Sequence, residues 1–132
     1  MEMNDVIMLV EDSEDDREMM RFAFRKAGVQ NPVFELHNGD EAIAYLSGQR
    51  QYAERERYPL PCIIITDLKM PGMDGLELLN HVKRTAPAVP VIVLTAFGTV
   101  QTAVEAMKAG ANDFLVKPFS HQALDDVLNK HV

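Results

Sequence analysis

The sequence predicts an α/β fold, a parallel sheet enclosed between two layers of helices. Three observations predict it: short, continuously apolar runs recur along the chain, stretches of helical spacing separate them, and glycines close several of those stretches. Continuous apolarity, rather than alternation, is what a strand buried on both faces requires. The 132 residues, 47% hydrophobic and 25% charged, suffice for one compact core and fall short of two typical domains, so residues 1–132 are expected to form a single domain.

The first strand is predicted over residues 6–10, which run into the polar EDSEDD. Ser13 then suits an N-cap, three acidic residues follow it, and Met20, Phe24 and Ala27 share one stripe before Gly28, predicting a helix over 14–27. Residues 33–36 form a second strand, and Ala42, Ile43 and Leu46 place a second helix over 40–46, closed by Gly48. Strands at 62–66 and 91–94 flank a helix at 76–82. Val100, Ala103, Val104 and Met107 predict one apolar helical face ending at Gly110; a strand at 114–116 and a helix around Leu124 and Leu128 complete the chain. Strict alternation implies right-handed crossovers and a flavodoxin-like, doubly wound, five-stranded parallel sheet of order 2-1-3-4-5 with five helices, a three-layer α/β/α sandwich. The segment QRQYAERERYPLP, residues 49–61, alternates in charge and reads as a solvated helix extension in preference to a partner-docking loop.

Composition removes several function classes. Thirteen basic against 20 acidic side chains give a net charge of −7, which opposes binding of this chain to nucleic acid or anionic lipid. Cys62 is the one cysteine, so no internal disulfide can form, in keeping with a reducing, cytoplasmic setting. No apolar run reaches membrane-spanning length and the N-terminus lacks the order of a signal peptide, so a soluble, unprocessed protein is expected. The sequence stops soon after the last helix, as in a stand-alone or an excised domain.

Ligands of such sheets gather beyond the carboxyl ends of the strands, where strand order reverses. Residues at or just past those ends are Glu11, Asp12, Asp67, Thr95 and Lys117. Three carboxylates at one rim repel one another unless a cation is shared. An oxygen-only donor set favours Mg²⁺ over zinc, with Mn²⁺ as a substitute. A hydroxyl and an ammonium added to that set best accommodate a phosphoryl group, which places Asp67 as a nucleophile forming an acyl phosphate. Taken singly, each residue has a plain alternative: Glu11 or Asp12 as a solvated helix cap, Thr95 as a strand-end hydroxyl, Lys117 as a surface cation.

Through VIMLVEDSEDD, IIITDLKMPGMDGLELL, VIVLTAFG and DFLVKPF, in order and over nearly the whole chain, the sequence resembles the response-regulator receiver family of two-component signalling. That resemblance implies Asp67 as phosphoacceptor, Glu11 and Asp12 as the acidic pair around the metal, and Lys69 as a ligand through its backbone carbonyl. It implies Thr95 as the switch hydroxyl, Phe114 as the switch aromatic, with a core phenylalanine as the alternative, and Lys117 as the cation on the phosphoryl group. A cis Lys117–Pro118 bond is expected, against a trans strand terminator. Lys69 and Phe97 stand at positions held to tune phosphoryl lifetime. The implied partner is a sensor histidine kinase or phosphotransfer protein, with a homodimer through the face of helix four, strand five and helix five. The protein is then not an enzyme but a phosphoacceptor that assists its own phosphorylation and dephosphorylation.

Met70, Pro71, Gly72, Met73 and Gly75 read as scaffold, with Asp74 as an N-cap. The long link at 49–61 and VEDSEDD resemble small stand-alone receivers, whereas TAFGTVQTAVEAMKAGANDFLVKPFS resembles receivers fused to ATPase and DNA-binding domains. Among other classes, metal-dependent phosphatases with an aspartyl nucleophile carry a second aspartate two residues on, where this chain has Lys69. A flavin or nucleotide module needs a glycine- or hydroxyl-rich phosphate loop, and EDSEDD would repel a phosphate. A degenerate receiver acting by protein contacts alone is the remaining alternative, disfavoured by retention of all the site residues.

Overall fold

The computed structural model describes residues 2, 4–70, 72–96 and 100–132; Pro71 and Phe97, named above, lie outside them. Strands β1 (Ile7–Val10), β2 (Val33–Leu36), β3 (Ile63–Asp67), β4 (Val91–Ala96) and β5 (Asp113–Lys117) alternate with helices α1 (Glu14–Lys26), α2 (Gly39–Leu46), α3 (Gly75–Thr85), α4 (Val100–Lys108) and α5 (His121–His131). The sheet runs β2-β1-β3-β4-β5 with every pairing parallel. The predicted order and element count hold, with element ends moved by a few residues.

Successive strand residues point to opposite faces, so each apolar run feeds two cores. Met8, Val10, Ile64, Val91 and Val93 face α2 and α3 through Tyr45, Leu78, Leu79 and Val82. Ile7, Leu9, Ile63, Ile65, Ile92 and Leu94 face α1 and α5 through Met20, Phe24, Leu124 and Leu128. Each fully buried side chain of this size contributes about 1.5–3 kcal/mol before ordering costs. Helices begin on local chemistry: Ser13, Asn38, Asp74 and Ser120 each accept an amide hydrogen bond from three residues on.

Two expectations are corrected. Among the described side chains of α4, which do not include that of Val100, Ala103 and Ala106 are buried, while Val104 and Met107 are exposed; the small alanines let the helix sit close to the sheet, which turns the bulkier apolar side chains outward. Residues 49–61 are not a solvated helix extension. A short 3₁₀ turn, Arg50–Ala53, buries Tyr52 against Tyr45 and Tyr58, at ring separations of 4.9 and 5.1 Å. Arg55 then donates to the carbonyls of Tyr45, Leu46 and Tyr58 at 2.9–3.1 Å, satisfying the C-terminal end of α2, which carries no basic residue in its last turn. The segment therefore supplies a cap through Arg55 and an aromatic plug through Tyr52 and Tyr58.

Candidate functional site

Because β1 pairs with both β2 and β3 while the connections run outward from it, the crevice opens at the β1 and β3 carboxyl ends. Glu11 follows β1 directly and is completely buried. Its amide donates to the Leu36 carbonyl at 2.9 Å, and its own carbonyl accepts from the Arg17 guanidinium at 2.7 Å. These bonds hold the backbone, so the side chain cannot escape to solvent without breaking the loop. Its carboxylate accepts from the Ser13 amide at 3.2 Å and from Lys117 Nζ at 2.9 Å.

Lys117 ends β5, two strands away from Asp67, and its side chain reaches back across the rim. Besides Glu11, its ammonium donates to Asp16 Oδ2 at 3.1 Å and Asp67 Oδ2 at 3.2 Å. Burial pushes the Glu11 carboxyl up to about 7, against the opposing pull of the Lys117 hydrogen bond. Burial also works against the Lys117 ammonium, but the Glu11 hydrogen bond, the charge of Asp67 and the Asp16 hydrogen bond outweigh it and hold the amine above its ordinary value. Lys117 therefore stays charged. The Lys117–Pro118 bond beside it is cis.

Asp67 closes β3, with its Oδ1 accepting from the Lys69 amide at 3.3 Å. Oxygen atoms of Glu11, Asp12 and Asp67 lie within 4.8 Å of one another. This fits a hard cation: the donors are carboxylate oxygens alone, two of the three residues retain solvent access, and Asp12 is exposed. Above Asp67 lies a cleft of about 230 Å³, lined among others by Asp16, Lys69, Thr95, Thr102 and Lys117. Thr95 is 3% exposed on β4, and Phe114, paired in register with Val93, is 40% exposed. The structure thus brings Glu11, Asp12, Asp67, Thr95 and Lys117 to one rim and leaves Phe114 at the surface of the neighbouring strand.

Sequence reasoning missed two residues. Asp16 reads as an ordinary first-turn acid of α1, complementary to the helix dipole, yet it shares Lys117. Arg17 reads as solvated but is buried and braces the Glu11 carbonyl. The one available signal was their spacing from Ser13, which turns both toward β1 on the first turn of the helix.

The sequence model of the response regulator receiver domain family matches residues 7–129. Among curated relatives, the response regulator protein FleR of Pseudomonas aeruginosa is 37% identical over 95% of this chain, but the match spans only 24% of FleR. Among solved structures, a response regulator receiver domain protein from Clostridium thermocellum superposes with a TM-score of 0.79 at 28% identity, covering 96% of this chain and 93% of that one. The Mn(2+)-bound form of response regulator Rcp1 gives 0.76 at 28% identity, covering 96% and 90%. By fold, by match over nearly the whole chain and by the acidic cluster at the strand ends, the chain belongs to the response regulator receiver domain family of two-component signalling.

Proposed function

We propose that Asp67 accepts a phosphoryl group from the phosphohistidine of a sensor histidine kinase or phosphotransfer protein. The observation that carries this reading is the convergence of the Lys117 ammonium and the Glu11 carboxylate, 2.9 Å apart, on an Asp67 that opens into a cleft. An Asp67 carboxylate oxygen attacks phosphorus in line; the P–N bond of the donor breaks and its electron pair returns to the imidazole nitrogen, which is then free to take a proton. Lys117 pairs with a phosphoryl oxygen, and the Thr95 hydroxyl, on the cleft wall, donates to another. Glu11, Asp12, Asp67 and the Lys69 carbonyl are the ligands of Mg²⁺, with Mn²⁺ as a substitute, a choice supported by the oxygen-only donors and by the Mn(2+)-bound form of Rcp1. When bound, the cation supplies neutralisation of the phosphoryl charge.

On this reading the chain is a phosphoacceptor rather than a turnover enzyme, works in the cytoplasm, and acts as one receiver unit over residues 1–132. A new contact from Thr95 biases the packing of α4, β5 and α5. Val104, Met107 and Phe114, each 40% exposed, make that face apolar, which suits an output partner or a second copy. No direct contact with nucleic acid is invoked, and no helix among the described residues is long and apolar enough to cross a membrane. The degenerate-receiver alternative loses support because every residue that the chemistry needs is present at the rim.

The test is incubation with a small phosphodonor, with Mg²⁺ or with chelator, followed by intact mass. A single phosphoryl gain that requires Mg²⁺ and weakens in Asp12→Ala supports the reading; no gain under any condition, with no Mg²⁺ binding, supports the degenerate alternative.

A further inference from the structure

An ammonium has three N–H donors, and in this structure all three of those on Lys117 have carboxylate partners, at 2.9 Å to Glu11, 3.1 Å to Asp16 and 3.2 Å to Asp67. If Lys117 is to contact a phosphoryl oxygen, one carboxylate must let go. Glu11 is the poorest candidate, since its side chain is 0% exposed and would be left with the Ser13 amide as its hydrogen-bond donor and no ammonium against a buried charge, a costly state. Asp67 is the group that carries the phosphoryl and is itself transformed. Asp16 is the most exposed of the three, at 36% against 15% for Asp67. It sits on the first helical turn, where its backbone amide is already satisfied by Ser13 Oγ at 3.3 Å, so a rotamer change frees it into water without loss of a backbone bond.

We propose that Asp16 is a displaceable placeholder for the phosphoryl group: it occupies the third donor of Lys117 in the resting site, yields it on phosphorylation, and competes for it again afterward. This rests on the phosphoacceptor reading above. Asp16 is thus a positioning residue that acts through Lys117 and sets how tightly the site holds a phosphoryl anion and for how long. Two effects have the same sign. The Asp16 carboxylate takes a hydrogen bond that the anion needs, and its negative charge, on the same ammonium as Asp67, repels an incoming anion. Its contact is partly solvated, so its effect is moderate and falls with added salt.

The experiment is a titration with beryllofluoride, a phosphoryl analogue that attaches to carboxylates, read by ¹⁹F NMR in the Mg²⁺-loaded protein. The variants are Asp16→Asn, Asp16→Glu and, as a charge-matched control on the same turn, the exposed Asp15→Asn. Asp16→Asn is expected to bind the analogue about threefold to tenfold more tightly and to lengthen the acyl phosphate lifetime by a similar factor. The gain should shrink in high salt, Asp16→Glu should stay near wild type, and Asp15→Asn should change little. In metal-free protein the Lys117 ¹⁵Nζ signal should move in Asp16→Asn and not in Asp15→Asn, and Mg²⁺ affinity should hold within about twofold.

Equal effects of Asp15→Asn and Asp16→Asn would reduce Asp16 to background charge and overturn the proposal. So would a loss of Mg²⁺ affinity in Asp16→Asn, which would make it a metal carboxylate. A wild-type protein that binds no analogue takes down the phosphoacceptor reading as well; one that binds it with Asp16→Asn unchanged takes down the placeholder alone.

Discussion

Glu11 and Lys117 lie 106 positions apart in the sequence, yet Lys117 Nζ is 2.9 Å from Glu11 Oε1, joining the first strand's end to the last strand's end across the sheet. The buried carboxylate needs a cation, and the ammonium meets the rim acids and Asp67 from the one position where it serves both.

Lys117→Met should therefore destabilise the fold in a pH-dependent way. With its folded value near 7 against an ordinary 4.5, Glu11 favours folding as the neutral acid, so its contribution falls as pH rises through that interval. Removing Lys117 steepens the trend. Urea unfolding should show a loss of about 1–3 kcal/mol at pH 8 and a smaller one at pH 6, where Glu11 can take a proton. An equal loss at both values would mean that Glu11 does not depend on Lys117.

Gly75 opens α3 directly behind Asp67. A Cβ there would collide with the Asp67 carbonyl oxygen and come within 2.8 Å of the Leu68 Cα, both backbone atoms that cannot swing aside. Gly75→Ala should cost about 1–3 kcal/mol and slow labelling of Asp67, whereas Gly72→Ala, with open space for its Cβ but a left-handed φ of 73°, should cost about 1 kcal/mol of backbone strain and leave the labelling of Asp67 intact. Thermal unfolding together with phosphodonor labelling checks both.

Those two sites divide what the sequence discloses. Glu11, Asp67, Thr95 and Lys117 are legible because apolar strands announce where they end, and the carboxyl ends of parallel strands share one rim. The alternation of apolar runs with helical stripes likewise yields the parallel sheet and its five strands, while the order of those strands follows from the resemblance to the receiver family. Asp16 is not legible, since its role depends on how far a lysine from β5 reaches. The outward turn of Val104 and Met107 is hidden for a related reason: both helical faces of α4 carry apolar residues, and the close approach allowed by Ala103 and Ala106 decides between them. Residues 49–61 mislead because charge alternation reports solvation only when the charges lack backbone partners, and Arg55 has three.

Removing those partners gives a direct check on the loop. Arg55→Ala leaves α2 carbonyls without their donor and loosens the Tyr45, Tyr52 and Tyr58 cluster, so a loss of about 1–2 kcal/mol is expected in urea unfolding. A change below about 0.5 kcal/mol would return the segment to the solvated class.

At the opposite end of the sheet, Asp113 accepts from His131 Nε2 at 3.0 Å and from the Phe114 amide at 2.9 Å. Burial would raise its carboxyl, but these bonds and Lys130 outweigh it and hold it below its ordinary 3.8. A depressed carboxylate stabilises the fold above its unfolded value and loses that contribution as pH falls through its folded one. Asp113→Asn should thus cost about 0.5–1 kcal/mol near pH 6, with the gap to wild type closing as pH falls below about 3.8. A gap unchanged by acid would show that the pair does not tie α5 to β5.

Whether Asp67 carries the phosphoryl group is decided by comparing wild type with Asp67→Asn after incubation with a small phosphodonor and Mg²⁺. Intact mass should show a single hydroxylamine-labile phosphoryl in the wild type and none in the variant. The same hydroxylamine-labile gain in Asp67→Asn would place the acceptor on another residue.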